Sequence, residues 1–188
     1  MHYLEWLKTT NTGRLAFLSL APAELHIRGL AHRPIPVRSM MESEGTTMFL
    51  YPSSAATTLT KEWVATLPRP FTLIVPDGNW RQASKVRRRE KGLKPAQLVQ
   101  LPVGPPSEYR LRRGPIPNGV CTLEAIARAM GILEGPEVQS HLEERFRVMV
   151  ERILWSRGEV HPTECEHLPP GAWQPSTRRA CRAPSKEI

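Results

Sequence analysis

The chain has 188 residues, 40% of them hydrophobic, so it can bury a core of about one domain and is too apolar for wholesale disorder. It carries 26 Lys and Arg against 18 Asp and Glu, and this excess favours a polyanionic partner such as a nucleic acid. No apolar run approaches the roughly 18 residues that cross a membrane, and residues 1–5 show no secretory signal. The three cysteines form no C-x-x-C pair, so we expect reduced thiols in a cytoplasmic protein without membrane contact.

Short apolar runs alternate with helical patterns along the first hundred residues. Residues 60–67 predict a short helix. The predicted strands are residues 15–18, 25–27, 46–51, 71–75 and 97–101. Strands that alternate with helices predict an α/β fold, with a mostly parallel sheet and flanking helices.

Two longer helices are predicted in the second half of the chain. Apolar residues recur every three or four positions from Leu123 to Leu133, which predicts a helix with Cys121 at its start. Glu124 lies in the first turn, where the helix dipole favours negative charge. Pro136 suits the first position of a second helix, which runs to about residue 154.

A proline-rich loop covers residues 102–120, and long loops in compact domains often carry function. Beyond about residue 157 the periodicity is lost, so we assign residues 1–157 to one domain and 158–188 to an irregular tail. A zinc site built from His161, Cys165 and His167 with Cys181 is an alternative, but its spacing matches no standard pattern. We therefore predict no metal ion.

Residues 71–90 combine an apolar strand, an acid and a cationic segment. The strand is followed by Pro76, Asp77 and Trp80, and the carboxyl end of a strand is where an α/β enzyme places its chemistry. Asp77 could equally serve an Asx-turn or a helix cap, and Trp80 could be packing. This segment on its own leaves both interpretations open.

Seven cations between residues 81 and 94 accompany a single acid, Glu90. Four of these cations fall on one face of a predicted helix, at i, i+4, i+7 and i+8, namely Arg81, Lys85, Arg88 and Arg89. Phosphates would offset their mutual repulsion, whereas the alternative is a solvated face. We predict that RNA contacts Arg14, Arg81, Lys85, Arg88, Arg89, Arg110 and Arg113.

Five short motifs stand in one order along residues 2–155. They are Thr10-Asn-Thr-Gly-Arg-Leu15, Leu50-Tyr-Pro52, Asp77-Gly-Asn-Trp80, Ser107-Glu-Tyr-Arg-Leu-Arg112 and Cys121-Thr-Leu-Glu-Ala125. In this order they resemble the DTW-domain family. The chain departs from the family at Asn79, where the motif has threonine. It also has no cysteine before Cys121, so we expect no counterpart here of the zinc-binding, cysteine-rich segment that many relatives have.

The resemblance implies an S-adenosylmethionine-dependent tRNA-uridine aminocarboxypropyltransferase. Such an enzyme places a 3-amino-3-carboxypropyl group on N3 of a uridine and releases 5′-methylthioadenosine. It also implies a single SPOUT-like domain with a C-terminal trefoil knot, and tRNA rather than DNA as the partner. Three alternatives stay open: an aminocarboxypropyltransferase that acts on ribosomal RNA, a methyltransferase of the same fold, and a non-catalytic RNA-binding module.

The resemblance also implies roles for individual residues. Asp77 is the expected catalytic residue, either as the base that takes the N3 proton or as a group that orients the uridine or the cofactor. For the remaining residues the alternative is a turn or packing role. The expected cofactor contacts are Leu50, Tyr51, Pro52, Trp80, Leu101, Ser107, Tyr109, Arg112, Cys121, Thr122 and Ala125.

Overall fold

The structure is a computed structural model, which describes residues 1–30, 32, 34–42, 44–112 and 119–172. The chain divides into two compact units, one ending at Phe146 and one beginning at Arg147. The strands are β1 (Thr46–Leu50), β2 (Thr57–Thr58), β3 (Phe71–Ile74) and β4 (Gln97–Gln100). The α-helices are α1 (Tyr3–Trp6), α2 (Thr12–Ser19), α3 (Val37–Met41), α4 (Lys61–Ala65), α5 (Trp80–Ala83), α6 (Val86–Arg89), α7 (Thr122–Leu133) and α8 (Pro136–Ser156).

The four strands form one sheet in the order β2-β4-β1-β3, and each of its three pairings is parallel. The predicted strands at 46–51, 71–75 and 97–101 are confirmed as β1, β3 and β4. The two-residue strand β2 is an addition that the sequence did not predict. Because parallel strands all end at the same edge, the residues after β1, β3 and β4 meet there.

The two strands predicted before residue 30 are wrong. Residues 15–18 lie in α2, because the side chain of Asn11 accepts a hydrogen bond from Arg14 N at 2.6 Å and so caps a helix. An apolar run of four residues does not distinguish a strand from a helix. Residues 25–27 form no strand, and the neighbouring Arg28 makes only an isolated parallel bridge with His2.

The predicted helices after residue 60 are confirmed with one change. The side chain of Thr60 caps α4, α7 begins directly after Cys121, and α8 begins at Pro136. The cationic segment after residue 80 is not one helix but two, α5 and α6. Ser84 and Lys85 between them keep right-handed helical dihedral angles, so the cations of both helices stay close.

The central strand β1 packs against the core on both faces of the sheet. Met48 and Leu50 of β1 belong to one core cluster, with Val99 of β4 and Leu133 of α7. Phe49, the residue between them, belongs to a second core cluster. The other buried residues of that cluster are Val86 of α6, and Leu93 and Ala96 of the segment before β4. Alternate residues of one strand thus enter different clusters, as the period of two requires.

The unit that begins at Arg147 contains the end of α8 and a short 3₁₀ helix, Pro162–Glu164. Within this unit, Glu151 of α8 is joined to the segment after the 3₁₀ helix, because its carboxylate accepts a hydrogen bond from His167 N at 2.6 Å. No helix in the described ranges is long and apolar enough to cross a membrane. Within those ranges no three His, Cys, Asp or Glu residues could share a metal ion, and Cys181 of the alternative zinc site lies outside them. The predicted boundary at residue 157 stays a prediction.

Candidate active site

A cavity of about 950 Å³ opens at the carboxyl edge of the sheet, in the first unit. The segments that leave three neighbouring strands form one side of it. The lining residues are Leu50, Tyr51 and Pro52 at the end of β1, Val75, Pro76 and Asp77 after β3, and Gln100, Leu101 and Pro102 at the end of β4. The start of α5, the loop after β4, α7 and the segment around residues 10–12 also contribute lining residues. This is the edge at which ligands bind in open α/β sheets.

Like Glu5, Asp77 is a buried acid that lines this cavity, with 8% of its surface exposed. Its Oδ2 accepts a hydrogen bond from Asn11 Nδ2 at 2.9 Å, and its Oδ1 accepts from Thr122 Oγ1 at 2.6 Å. Gly13 lies directly against the carboxylate, because a Cβ at that position would be 2.6 Å from Asp77 Cγ. The side chain is thus held in a single orientation.

The amino-terminal ends of α2 and α7 meet at this carboxylate. Asn11 is the residue that caps α2, and Thr122 is the first residue of α7. Leu123 N of α7 donates to Thr12 Oγ1 of α2 at 3.4 Å, which joins the two helix starts. Both helix dipoles favour negative charge here. Each carboxylate oxygen can accept more than one hydrogen bond, so Asp77 retains acceptor capacity.

The loop after β4 is attached to the start of α7 by the buried Glu124. Its carboxylate accepts from Ser107 Oγ at 2.6 Å, from Glu108 N at 2.8 Å and from Cys121 N at 2.8 Å. The last of these bonds also completes the helix cap. Sequence reasoning placed Glu124 in the first turn for its charge and missed that it fixes the loop.

The far end of the same loop is attached to the N-terminal segment. Tyr109 Oη donates to the carbonyl of Thr10 at 2.6 Å, and burial raises the pKa of this phenol. The Arg112 guanidinium donates to Glu5 at 3.2 Å and also to Thr10 Oγ1. Burial acts to raise the pKa of Glu5, but hydrogen bonds from Lys8 and Arg112 hold it below its ordinary value. Tyr109 and Arg112 are therefore engaged with the protein itself.

Cys121 lines the cavity as a protonated thiol. Burial raises its pKa to about 12, and the nearby Glu124 adds to the effect. Since the thiolate is the reactive form of cysteine, this residue has no role as a nucleophile at neutral pH. Cys165, the other cysteine in the described chain, is also a free thiol.

Two aromatic side chains stand on the sheet side of the cavity. The rings of Tyr51 and Trp80 have centroids 6.2 Å apart and meet edge to face. Asn79 caps the helix that carries Trp80, since its Oδ1 accepts from Gln82 N at 2.9 Å and Gln82 Oε1 accepts from Asn79 N at 2.8 Å. Threonine is also a good capping residue, so this arrangement explains how asparagine replaces the motif threonine.

The structure brings Asp77 and all eleven predicted cofactor contacts to this one cavity. Their roles stay predictions. Sequence reasoning missed four other cavity residues that bear on the chemistry: Glu5, Thr10, Asn11 and Arg128. The first three lie in or near the motif that begins at Thr10, and that motif was the available signal. Arg128 had no signal in the sequence.

The predicted RNA-contacting residues do not share one environment. Arg81, Arg88, Arg89 and Arg110 are exposed, and Lys85 is half-buried. The guanidinium of Arg14 is turned towards the carbonyl of Trp6, at 3.3 Å. Arg113 lies outside the described residues.

The fold is α/β, with a cavity at the carboxyl edge of a parallel sheet. The family model of the DTW domain matches residues 1–154. The chain therefore belongs to the DTW domain family, as the order of the motifs predicts.

Curated relatives share part of this region. The chain is 33% identical over 103 residues to tRNA-uridine aminocarboxypropyltransferase 2 of Mus musculus, which covers 54% of this chain and 34% of the relative. It is 35% identical over 89 residues to the protein of that name from Macaca fascicularis, covering 47% of this chain and 30% of the relative. The protein of that name from Drosophila melanogaster is 33% identical over 97 residues, which cover 51% of this chain and 38% of the relative. The chain thus spans about a third of the length of these relatives, and no solved structure gives a significant match.

Proposed function

We propose that this chain transfers the 3-amino-3-carboxypropyl group of S-adenosylmethionine to N3 of a uridine in tRNA, with release of 5′-methylthioadenosine. The observation that carries the proposal is the buried carboxylate of Asp77, held by Asn11 and Thr122 in the wall of the cavity. Membership in the DTW domain family and the names of the curated relatives give the reaction class.

The residues around the cavity fit such a donor. A volume of about 950 Å³ lies at the upper end of the roughly 300–1,000 Å³ of small-molecule sites, so a nucleobase can share the space. Leu50, Tyr51, Pro52, Trp80 and Leu101 offer an apolar wall for an adenine. The carboxylate of Asp77 is of the sign that a sulfonium or an ammonium group requires.

Asp77 supplies the proton chemistry in this proposal. When bound, the donor supplies a carbon activated by an adjacent sulfonium, so no metal ion is needed. Asp77 accepts the N3 proton of the uridine while the bond from N3 to the γ-carbon forms and the bond from that carbon to sulfur breaks. Because Asn11 and Thr122 fix the carboxylate before substrate binds, little reorientation is required at that moment.

A basic surface next to the cavity supports an RNA substrate. We give this name to Arg81, Lys85, Arg88 and Arg89. These cations are close enough that the charge of Arg81, followed by burial and the charges of Arg89 and Arg88, lowers the pKa of Lys85. Glu90, the acid of this segment, is paired with Arg28 at 3.4 Å. Within the described part of the chain, no ion pair neutralises the four cations of the basic surface. Phosphates of an RNA would supply one.

The reaction is tested by incubating bulk tRNA with the protein and S-adenosylmethionine, followed by mass spectrometry of the nucleosides and the spent donor. We expect 3-(3-amino-3-carboxypropyl)uridine together with methylthioadenosine. A methylated nucleoside with S-adenosylhomocysteine would replace the proposal with a methyltransferase. Modified uridine in ribosomal RNA and none in tRNA would show that ribosomal RNA is the substrate. No modified nucleoside in any RNA would favour a non-catalytic RNA-binding module.

Two variants locate the chemistry. Asp77→Asn keeps the shape of the side chain but lacks the basic carboxylate, so we expect transfer to be lost while donor binding persists. Transfer at the wild-type rate by this variant would refute the assignment of the base.

Changing the four cations of the basic surface to glutamine should weaken tRNA binding and flatten its dependence on salt, because fewer counterions are released. Lys61→Gln, at an exposed position of α4, is the matched control and should leave the salt slope unchanged.

The remaining family expectations belong to the same proposal. We propose a SPOUT-like fold with a C-terminal trefoil knot, supported so far by family membership and by a parallel sheet whose strand order requires crossovers. We also propose a cytoplasmic location, where tRNA would be available as a substrate. An experimental structure of the chain with its donor would test the fold and the cofactor contacts together.

A further inference from the structure

Two arginines line the cavity among the described residues, and their charges are met differently. Arg112 donates to the carboxylate of Glu5 and to Thr10. Arg128 on α7 reaches only the carbonyl of Pro106, and at 3.5 Å that contact is at the limit of a hydrogen bond. No carboxylate in the described ranges forms an ion pair with Arg128. The guanidinium of Arg128 is thus a cavity cation without an anionic partner.

The acid nearest to Arg128 on its helix is engaged with other groups. Glu124 lies one turn earlier, and its two oxygens accept three hydrogen bonds, from Ser107, Glu108 and Cys121. It also does not line the cavity, whereas Arg128 does. A ligand in the cavity is therefore the available source of negative charge for Arg128.

Arg128 lies on the same helix as Thr122, the residue that donates a hydrogen bond to the candidate base. Thr122, Ala125 and Arg128 line the cavity from successive turns of α7, and Thr122 holds Asp77. The rise of about 1.5 Å per residue places the backbone of Arg128 about 9 Å along the helix from that of Thr122. One face of α7 therefore presents the support of a carboxylate at its start and an unpaired guanidinium further along.

We propose that Arg128 binds the α-carboxylate of the donor's aminocarboxypropyl group, an inference that rests on the proposed function. That carboxylate is the negatively charged group of S-adenosylmethionine, and guanidinium binds carboxylates through two parallel hydrogen bonds. Arg128 is half-buried and lines the cavity, whereas the three arginines of the basic surface are exposed and do not line it. Holding the carboxylate restrains the chain that contains the γ-carbon and so helps to select that carbon for transfer.

The test compares two ligands that differ by this group. S-adenosylmethionine carries the aminocarboxypropyl chain, and 5′-methylthioadenosine lacks it. We expect calorimetric titration of Arg128→Gln to show affinity for S-adenosylmethionine reduced about tenfold or more, as for loss of a charge-assisted hydrogen bond. Affinity for methylthioadenosine should stay within about twofold of wild type, which also shows that the cavity is intact. Arg128→Lys should recover part of the loss, because it retains the charge.

Arg145→Gln is the matched control, since Arg145 is an exposed arginine of α8 that does not line the cavity. It should bind both ligands as wild type does. Equal weakening of both ligands by Arg128→Gln would show a structural role, and unchanged binding of both would remove Arg128 from the site. Weakened tRNA binding with unchanged affinity for S-adenosylmethionine would reassign the residue to an RNA phosphate. Each of these outcomes overturns the proposal, and failure of the wild-type protein to bind either ligand would overturn the proposed function as well.

Discussion

Gly13 is the residue whose replacement tests the packing of the candidate base most directly. It lies in the first turn of α2, where alanine is normally more stable than glycine by about 0.5–1 kcal/mol. A Cβ at this position, however, would be 2.6, 2.7 and 2.9 Å from Cγ, Oδ1 and Oδ2 of Asp77. Real Cβ atoms do not approach other atoms so closely, so either the carboxylate or the start of α2 must move.

The structure gives the size and the sign of the effect. Forcing a methyl group into a filled site costs about 1–3 kcal/mol. Displacing the carboxylate from Asn11 or Thr122 costs about 1.5–3 kcal/mol more, as for a hydrogen bond to a charged group. After subtraction of the gain in helix propensity, we expect Gly13→Ala to lower the free energy of unfolding by about 2–5 kcal/mol. In a protein that already carries Asp77→Ala the obstacle is gone, and the same change should be neutral or stabilising by up to about 1 kcal/mol.

The measurement is a double-mutant cycle in urea. The wild-type protein, Gly13→Ala, Asp77→Ala and the double variant are unfolded in parallel, and the slope against urea is checked for constancy so that the midpoints report stability. A reversal of sign between the two backgrounds supports the close contact. If Gly13→Ala changes the free energy of unfolding equally in both backgrounds, within about 0.5 kcal/mol, the two residues are independent and the reasoning is refuted.

Two further predictions concern the supports of the site. Asn79→Ala should destabilise the protein by about 1 kcal/mol because it removes a helix cap, whereas Asn79→Thr should change stability by only a few tenths; equal urea midpoints for both variants would contradict the capping role. Glu5 has a folded pKa below its ordinary value of 4.5, so its contribution to stability is present above that pH and is lost as the pH falls through the folded value. The difference in unfolding free energy between wild type and Glu5→Gln should therefore shrink from pH 7 to pH 3, and a constant difference would show that the charge of Glu5 contributes nothing.

Secondary structure was predicted best for segments whose own residues carry the start, end and periodicity signals. The apolar runs of β1 and β3 are bounded by turn residues, and α7 and α8 have an apolar face, a cap or a proline at the start. The family motifs also placed Asp77 and the expected cofactor contacts in one group, and the structure gathers them around one cavity. Residues 15–18 failed because four apolar residues fit either period, and the decisive signal was the cap at Asn11.

The supports of the site could not be predicted from the sequence, because they join distant segments. Asp77 is held by Asn11, 66 residues away, and by Thr122, 45 residues away. Arg112 and Glu5 are 107 residues apart. Local patterns do not specify such pairs, since each partner taken separately resembles an ordinary cap residue or surface charge. Arg128 shows the same limit, because the sequence does not reveal that no carboxylate of the described residues forms an ion pair with it.

The departure at Asn79 can now be weighed by what its side chain does. Its Oδ1 accepts the N–H of Gln82, so the amide caps α5 and fixes the start of the helix that carries Trp80. Threonine performs the same task with its hydroxyl oxygen. The groups that hold Asp77 belong to Asn11 and Thr122 instead, and both stand within the family's motifs. Loss of the motif threonine therefore leaves the supports of the candidate base untouched, which favours a working transferase over a module that has lost its activity.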